Sequence, residues 1–185
     1  MINTNFVPTK GNGKYSVYYF QNIIEQLFFD QLKTVVPSYA YNFINGKLTD
    51  AVKRIWLHQS NNEYLSNLAS AFDTLEIKDH FGKYVNTDFT KMRTRIELCN
   101  DLEGSWLEEH VDDPAKKFTL QFYLSNIERS TMHNGQTYDA IENNGWFFLN
   151  TGTEYHSLSP LKARRSSIIL NYVDNSWRDD TVLVS

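Results

Sequence analysis

The sequence predicts an α+β domain in which N-terminal helices back a strand sandwich or barrel. Two observations predict it. Apolar residues recur at three-and-four spacing only in the first half, and after Gly82 the chain turns to short β-rich runs separated by polar or Gly-containing turns. Helices first and strands after is the order of an α+β domain rather than of alternating βαβ units.

The elements follow in order. Tyr15 to Phe20 is aromatic and reads as a first strand. Asn22 to Val35 carries Ile23, Ile24, Leu27, Phe28, Leu32 and Val35 on one helical face, and Pro37 stops it. Ser60 and Glu63 form a capping-box pattern that opens a second helix through Leu65, Leu68, Phe72 and Leu75, with Gly82 beyond its C-terminal end. Met92 to Cys99, Trp106 to Val111, Phe118 to Leu124, Gly145 to Leu149 and Ser167 to Val173 are the predicted strands. Within Phe118 to Leu124, alternation sets Thr119, Gln121 and Tyr123 on one face and Leu120, Phe122 and Leu124 on the other. Asn126 to Asn144 is polar and reads as a loop or lid. Neither repeat nor linker divides the 185 residues, so one domain over 1–185 is expected, with helical support over about 1–90 and the strand core over about 91–175.

Composition narrows the function. With 41% hydrophobic and 15% aromatic residues the chain folds, and a formal net charge of −4 without a basic run leaves no footprint for nucleic acid. The single cysteine, Cys99, cannot form an intramolecular disulfide, which fits a reducing setting. The polar N-terminus lacks a signal-peptide pattern, and no apolar run reaches membrane-spanning length. A cytoplasmic protein without membrane association is expected.

The chemistry rests on His110-Val111-Asp112 and on His156 further along. On an extended segment, side chains two apart share a face, so an imidazole and a carboxylate reach one ion together. A second histidine from a distant strand completes two imidazoles and one carboxylate on one side of a metal, the facial arrangement of non-heme Fe(II) oxygenases. Arg165, nine residues after His156, opens a strand-like run and suits a bidentate pair with a carboxylate. Tyr123 and Thr119 could add hydroxyl donors. Arg164 competes with Arg165, because a one-residue slip exchanges which side chain faces inward, and Tyr123 could equally be a core aromatic.

Five ordered blocks carry a resemblance. His110-Val111-Asp112-Asp113-Pro114, Thr119 to Leu124, Gly145 to Asn150, His156 to Pro160, and Arg165 to Tyr172 resemble the Fe(II)/2-oxoglutarate dioxygenase superfamily, in its prolyl-4-hydroxylase-like branch, over roughly Met92 to Val173. The resemblance implies a double-stranded β-helix (jelly roll) core. It implies His110, Asp112 and His156 as ligands of Fe(II). Arg165 would hold the C5 carboxylate of 2-oxoglutarate, with Tyr123 bonded to the same group. The implied reaction uses O2, converts 2-oxoglutarate to succinate and CO2, and hydroxylates a C–H bond, with a prolyl residue in a peptide or a free amino acid as leading substrate. Asn100 stands where several relatives have a tyrosine, and Gln121 has no family counterpart.

A cupin-like metal-binding or sensing protein without turnover is the alternative reading. Specificity would lie in Asn86 to Lys91 and Asn126 to Asn144. His58 and His80 fall in the helical half and His133 in the polar loop without a paired ligand, so none is expected in the site. Trp106 and Trp146 read as core or pocket wall, and Cys99 as a buried small hydrophobe.

Overall fold

The strand Lys116–Tyr123 shows how this chain divides its surfaces. Phe118, Leu120 and Phe122 pack into a large apolar core with the helices, while Tyr123 belongs to a second core and Thr119 and Gln121 engage buried polar partners. Strict alternation thus makes one strand a wall between two layers.

The computed structural model describes residues 1–12, 16–36, 55–133 and 135–177. Its strands are β1 Thr9–Lys10, β2 Val17–Phe20, β3 Ile55–Trp56, β4 Arg93–Asp101, β5 Leu107–His110, β6 Lys116–Tyr123, β7 Ile127–His133, β8 Gln136–Ala140, β9 Gly145–Leu149, β10 His156–Leu158 and β11 Arg165–Val173. The helices are α1 Gln26–Val35, α2 Glu63–Phe72 and α3 Leu75–Val85, and a 3-10 turn covers Leu57–Gln59.

The strands form two antiparallel sheets. One has seven strands in the order β1-β2-β9-β6-β11-β4-β3, and the other has four in the order β5-β10-β7-β8. One face of the larger sheet, through Ile96, Leu98, Phe118, Leu120, Phe122, Phe147, Ile168, Leu170 and Tyr172, shares a core with Phe29 and Leu32 of α1, Leu65, Leu68 and Phe72 of α2, and Ile77 and Phe81 of α3. The second core takes Val17, Tyr123, Trp146 and Phe148 from the larger sheet with Ile127, Ala140 and Leu158 from the smaller one.

Several boundaries differ from the sequence expectation. The first strand is Val17–Phe20, with Tyr15 outside the described residues; Pro37 lies outside them too. Helix α1 starts only at Gln26, because Asn22 takes a positive φ of 54° and Ile24 bonds Asn143 instead of entering the helix. The expected second helix is two. Asn62, not Ser60, caps α2 by accepting from the backbone N–H groups of Tyr64 and Leu65, and Thr74 caps α3 by accepting from that of Ile77. Gly82 lies inside α3, and Asn86 makes the left-handed C-terminal turn with φ 52°. A Cβ at Gly82 would stand 2.3 Å from the Thr87 carbonyl oxygen, so glycine serves close approach there rather than termination.

The expected loop over 126–144 is instead the β7–β8 hairpin. Its polar residues are divided between the two sides with an irregularity at Arg129 (φ 51°): Ser130, Thr131 and His133 are buried while Glu128 and Arg129 are exposed. A sheet surface that encloses polar groups looks hydrophilic in sequence, which hid the strands.

Candidate metal centre and co-substrate pocket

The smaller sheet brings the two histidines together. In its register His156 of β10 stands opposite His110 of β5 on one side and His133 of β7 on the other. Strand β5 ends at His110, so Asp112 reaches the same point from the turn that follows, not from a shared strand face. That turn is held by Asp113, whose carboxylate accepts from the Ala115 N–H, and by Asn150, whose amide donates to the carbonyls of Asp113 and Lys116.

One ligand atom from each of His110, Asp112 and His156 lies within 4.8 Å of the others. Both imidazoles are oriented alike. Nδ1 of His110 lies 2.9 Å from the Glu108 carbonyl, and Nδ1 of His156 lies 3.1 Å from that of Glu154. A carbonyl only accepts, so each Nδ1 carries the proton and each Nε2 presents its lone pair when the ring is neutral. Burial holds the His156 pKa below its ordinary value against the raising effect of Asp112, which favours the neutral, ligating form.

Burial alone would raise the Asp112 carboxyl. The nearby Lys116 charge and His156, with hydrogen bonds from Lys116 (2.8 Å) and Thr119 (2.6 Å), outweigh it and hold the group well below the carboxylate range. Two imidazoles and one carboxylate are the donor set that suits Fe(II) with open positions. The residues fit the metal.

Arg165 of β11 is buried and Arg164 is exposed. The Arg165 guanidinium donates twice to Oδ2 of Asp101, from Nε at 2.9 Å and Nη2 at 2.7 Å, and from Nη1 to Thr131 at 3.2 Å. Its cation also lies 5.9 Å from the centre of the Tyr123 ring. The Tyr123 hydroxyl accepts from Trp146 Nε1 at 2.8 Å and shares a 2.9 Å hydrogen bond with Thr131. Arg165, Tyr123, Thr131 and Trp146 therefore form one polar cluster between the sheets.

Thr119 is not part of that cluster. It shares a strand face with Tyr123 but lies four residues, roughly 13 Å along the strand, toward Asp112. Its hydroxyl donates to Asp112 and accepts from Asn171 at 2.9 Å. Gln121 donates to Ser167 at 2.8 Å, and Asn100 accepts from Ser166 at 2.6 Å.

Three residues went unrecognised in the sequence. Thr131 and Asp101 carried no motif. His133 was placed in a loop, yet it is 2% exposed, its ring centre lies 4.3 Å from that of Trp146 and 5.9 Å from that of His156, and its Nε2 has no hydrogen-bond partner among the described residues. Burial, then His156, push its pKa well below the ordinary value, so the ring is neutral. Its register opposite His156 was the missing signal. His58 is exposed in the 3-10 turn, and His80 packs beside Phe6, Phe81 and Tyr84, both away from the site.

No protein-family model matches the sequence, and no curated protein matches it. Solved structures do. A prolyl-4-hydroxylase from Pseudomonas putida aligns with a TM-score of 0.63 at 12% identity, covering 88% of this chain and 95% of that one. A Trichoplax adhaerens prolyl hydroxylase, in complex with a hypoxia inducible factor oxygen degradation domain peptide fragment, aligns with a TM-score of 0.61 at 15% identity over 87% and 84%. The viral collagen prolyl hydroxylase of Paramecium Bursaria Chlorella virus-1, in a 2OG complex, gives 0.54 at 15% over 87% and 96%. This chain shares its fold with these prolyl hydroxylases.

Proposed function

We propose that the chain is an Fe(II)- and 2-oxoglutarate-dependent hydroxylase built as a single jelly-roll domain, acting on a prolyl residue in a peptide or on a free amino acid. The observation that carries the reading is the convergence of His110, Asp112 and His156, with both histidines presenting Nε2. The shared fold with three prolyl hydroxylases supports it, and the peptide complex of the Trichoplax protein favours a peptide substrate. Among the described residues no helix is long and apolar enough to cross a membrane, and the one cysteine, Cys99, is buried, in keeping with a reducing, cytoplasmic setting.

The residues present assign themselves roles. His110, Asp112 and His156 would hold Fe(II). With 2-oxoglutarate bound, the iron supplies O2-dependent decarboxylation of the co-substrate coupled to C–H hydroxylation. Arg165 keeps one N–H on each of Nη1 and Nη2 beyond its bonds to Asp101 and Thr131, and this edge, with the Tyr123 hydroxyl, receives the distal carboxylate. Trp146, Phe148 and Leu158 exclude water between the sheets, which strengthens each polar contact there. Lys116 and Thr119 keep Asp112 ionised and aimed.

One observation favours the second reading, a cupin-like metal-binding protein without turnover: Asp101 already neutralises Arg165. The test is turnover. Iron-loaded protein given 2-oxoglutarate, O2 and proline-containing peptides or free proline should release succinate and form a hydroxylated product. Metal binding with no succinate under any of these substrates would favour the second reading.

A further inference from the structure

We propose that Thr119 and Asn171 are positioning residues for Asp112, the inner members of a buried one-way chain of hydrogen bonds anchored on the Arg95–Glu97 ion pair. The proposal rests on the reading of His110, Asp112 and His156 as a metal centre.

The antiparallel register builds the chain. Asn171 of β11 stands directly opposite Arg95 of β4 on one side and Thr119 of β6 on the other. The three side chains therefore form one row across the inner face of the larger sheet. Arg95 donates from Nη1 to Oδ1 of Asn171 at 2.7 Å. Asn171 donates from Nδ2 to Oγ1 of Thr119 at 2.9 Å, and Thr119 donates to Oδ2 of Asp112 at 2.6 Å. Glu97 holds the far end through both carboxylate oxygens, each 3.0 Å from Arg95. Trp56 and Trp177 each place a ring 5.0 Å from the Arg95 cation, so the anchor cannot swing.

Every proton direction in the row is forced. Arg95 has no acceptor, so the Asn171 amide must turn its oxygen to β4 and its N–H2 to β6. Thr119 then receives a proton on its oxygen and has only its own proton left, which must go to Asp112. The amide and hydroxyl dipoles align from the Arg95 cation toward the Asp112 anion, an arrangement in which successive hydrogen bonds strengthen one another. Lys116 takes the other oxygen of Asp112 at 2.8 Å, so the carboxylate is gripped from two sides. Every member of the row is at most 7% exposed, so water cannot replace a lost partner. Partners of this kind around a metal ligand set its orientation, and their removal typically costs about 10- to 100-fold in metal affinity.

The test is Co(II) titration of the full chain, followed by its visible absorption, beside near-ultraviolet circular dichroism of the metal-free protein. Thr119→Val removes the donor at nearly constant shape and should weaken Co(II) binding about tenfold or more and shift the band. Thr119→Ser restores the hydroxyl and should return both toward wild type. Asn171→Ala leaves the Thr119 proton free to rotate and should give an intermediate loss, an independent test should Thr119→Val fail to fold. Variants that fold yet bind Co(II) with wild-type affinity and band position overturn the proposal. A wild-type chain that binds no Co(II) overturns instead the metal-centre reading on which it rests.

Discussion

Arg165 and Asp101 face each other across the β11–β4 ladder, and the guanidinium makes both of its bonds to the pair through one oxygen, Oδ2 of Asp101. Both side chains are buried, so the floor of the proposed co-substrate pocket carries a cation and its counter-charge together.

That pairing separates two variants. Arg165→Ala removes a charge-assisted donor set and should weaken 2-oxoglutarate binding roughly a hundredfold. Asp101→Asn leaves an uncompensated cation, and so should lower Tm in the absence of ligand, since breaking a buried pair costs about 3–5 kcal/mol. The same charge change should tighten 2-oxoglutarate binding by about tenfold. Thermal shift with and without 2-oxoglutarate measures both effects, and weaker binding in Asp101→Asn would remove Arg165 from the carboxylate site.

Asp73 ties the helical layer to the strands and gives stability a pH dependence. Burial raises its pKa, but hydrogen bonds from Lys78 and Thr94 outweigh burial and leave it below the ordinary value. A depressed pKa means the folded state holds the proton less tightly than the unfolded state. The contribution is therefore full above the unfolded pKa, about 4, and is lost as pH falls through the lower folded value. The Tm gap between wild type and Asp73→Asn should be widest at neutral pH and close in acid; a gap that widens on acidification would contradict this assignment.

Gly145 opens β9 where the larger sheet has no room for a side chain. A Cβ there would fall 2.0 Å from the Gln121 carbonyl oxygen and 2.7 Å from the Phe20 ring. Backbone cannot yield as a side-chain tip does, so Gly145→Ala should destabilise the fold by about 1–3 kcal/mol or more. Chemical denaturation measures it. A substitution tolerated without loss would mean that β9 can shift against β6.

Strands β6 and β11 were legible because their patterns are strict, whereas β10, which carries His156, was not among the expected strands. Thr119 to Leu124 alternates, and the run from Arg165 buries Ile168, Leu170 and Tyr172 at every second position. The hairpin of β7 and β8 was illegible for the opposite reason, since its buried residues include Ser130, Thr131 and His133, which look like loop residues until their partners are known. The i, i+2 spacing of His110 and Asp112 pointed to a metal-compatible pair, and the family resemblance added His156. Asp101 and Asn171 could not be read in this way, because their roles come from cross-strand register with Arg165, Arg95 and Thr119, and register is a property of pairing rather than of any one segment.

His110, Asp112 and His156 should bind Fe(II) with positions left for 2-oxoglutarate. Anaerobic addition of Fe(II) and 2-oxoglutarate to the metal-free protein, followed by visible spectroscopy, tests it most directly. A weak charge-transfer band should appear that saturates near one iron per chain, disappears in Asp112→Ala, and requires much more 2-oxoglutarate in Arg165→Ala. A wild-type protein that develops no band at saturating iron and co-substrate, or an Asp112→Ala protein that develops the same one, would contradict it.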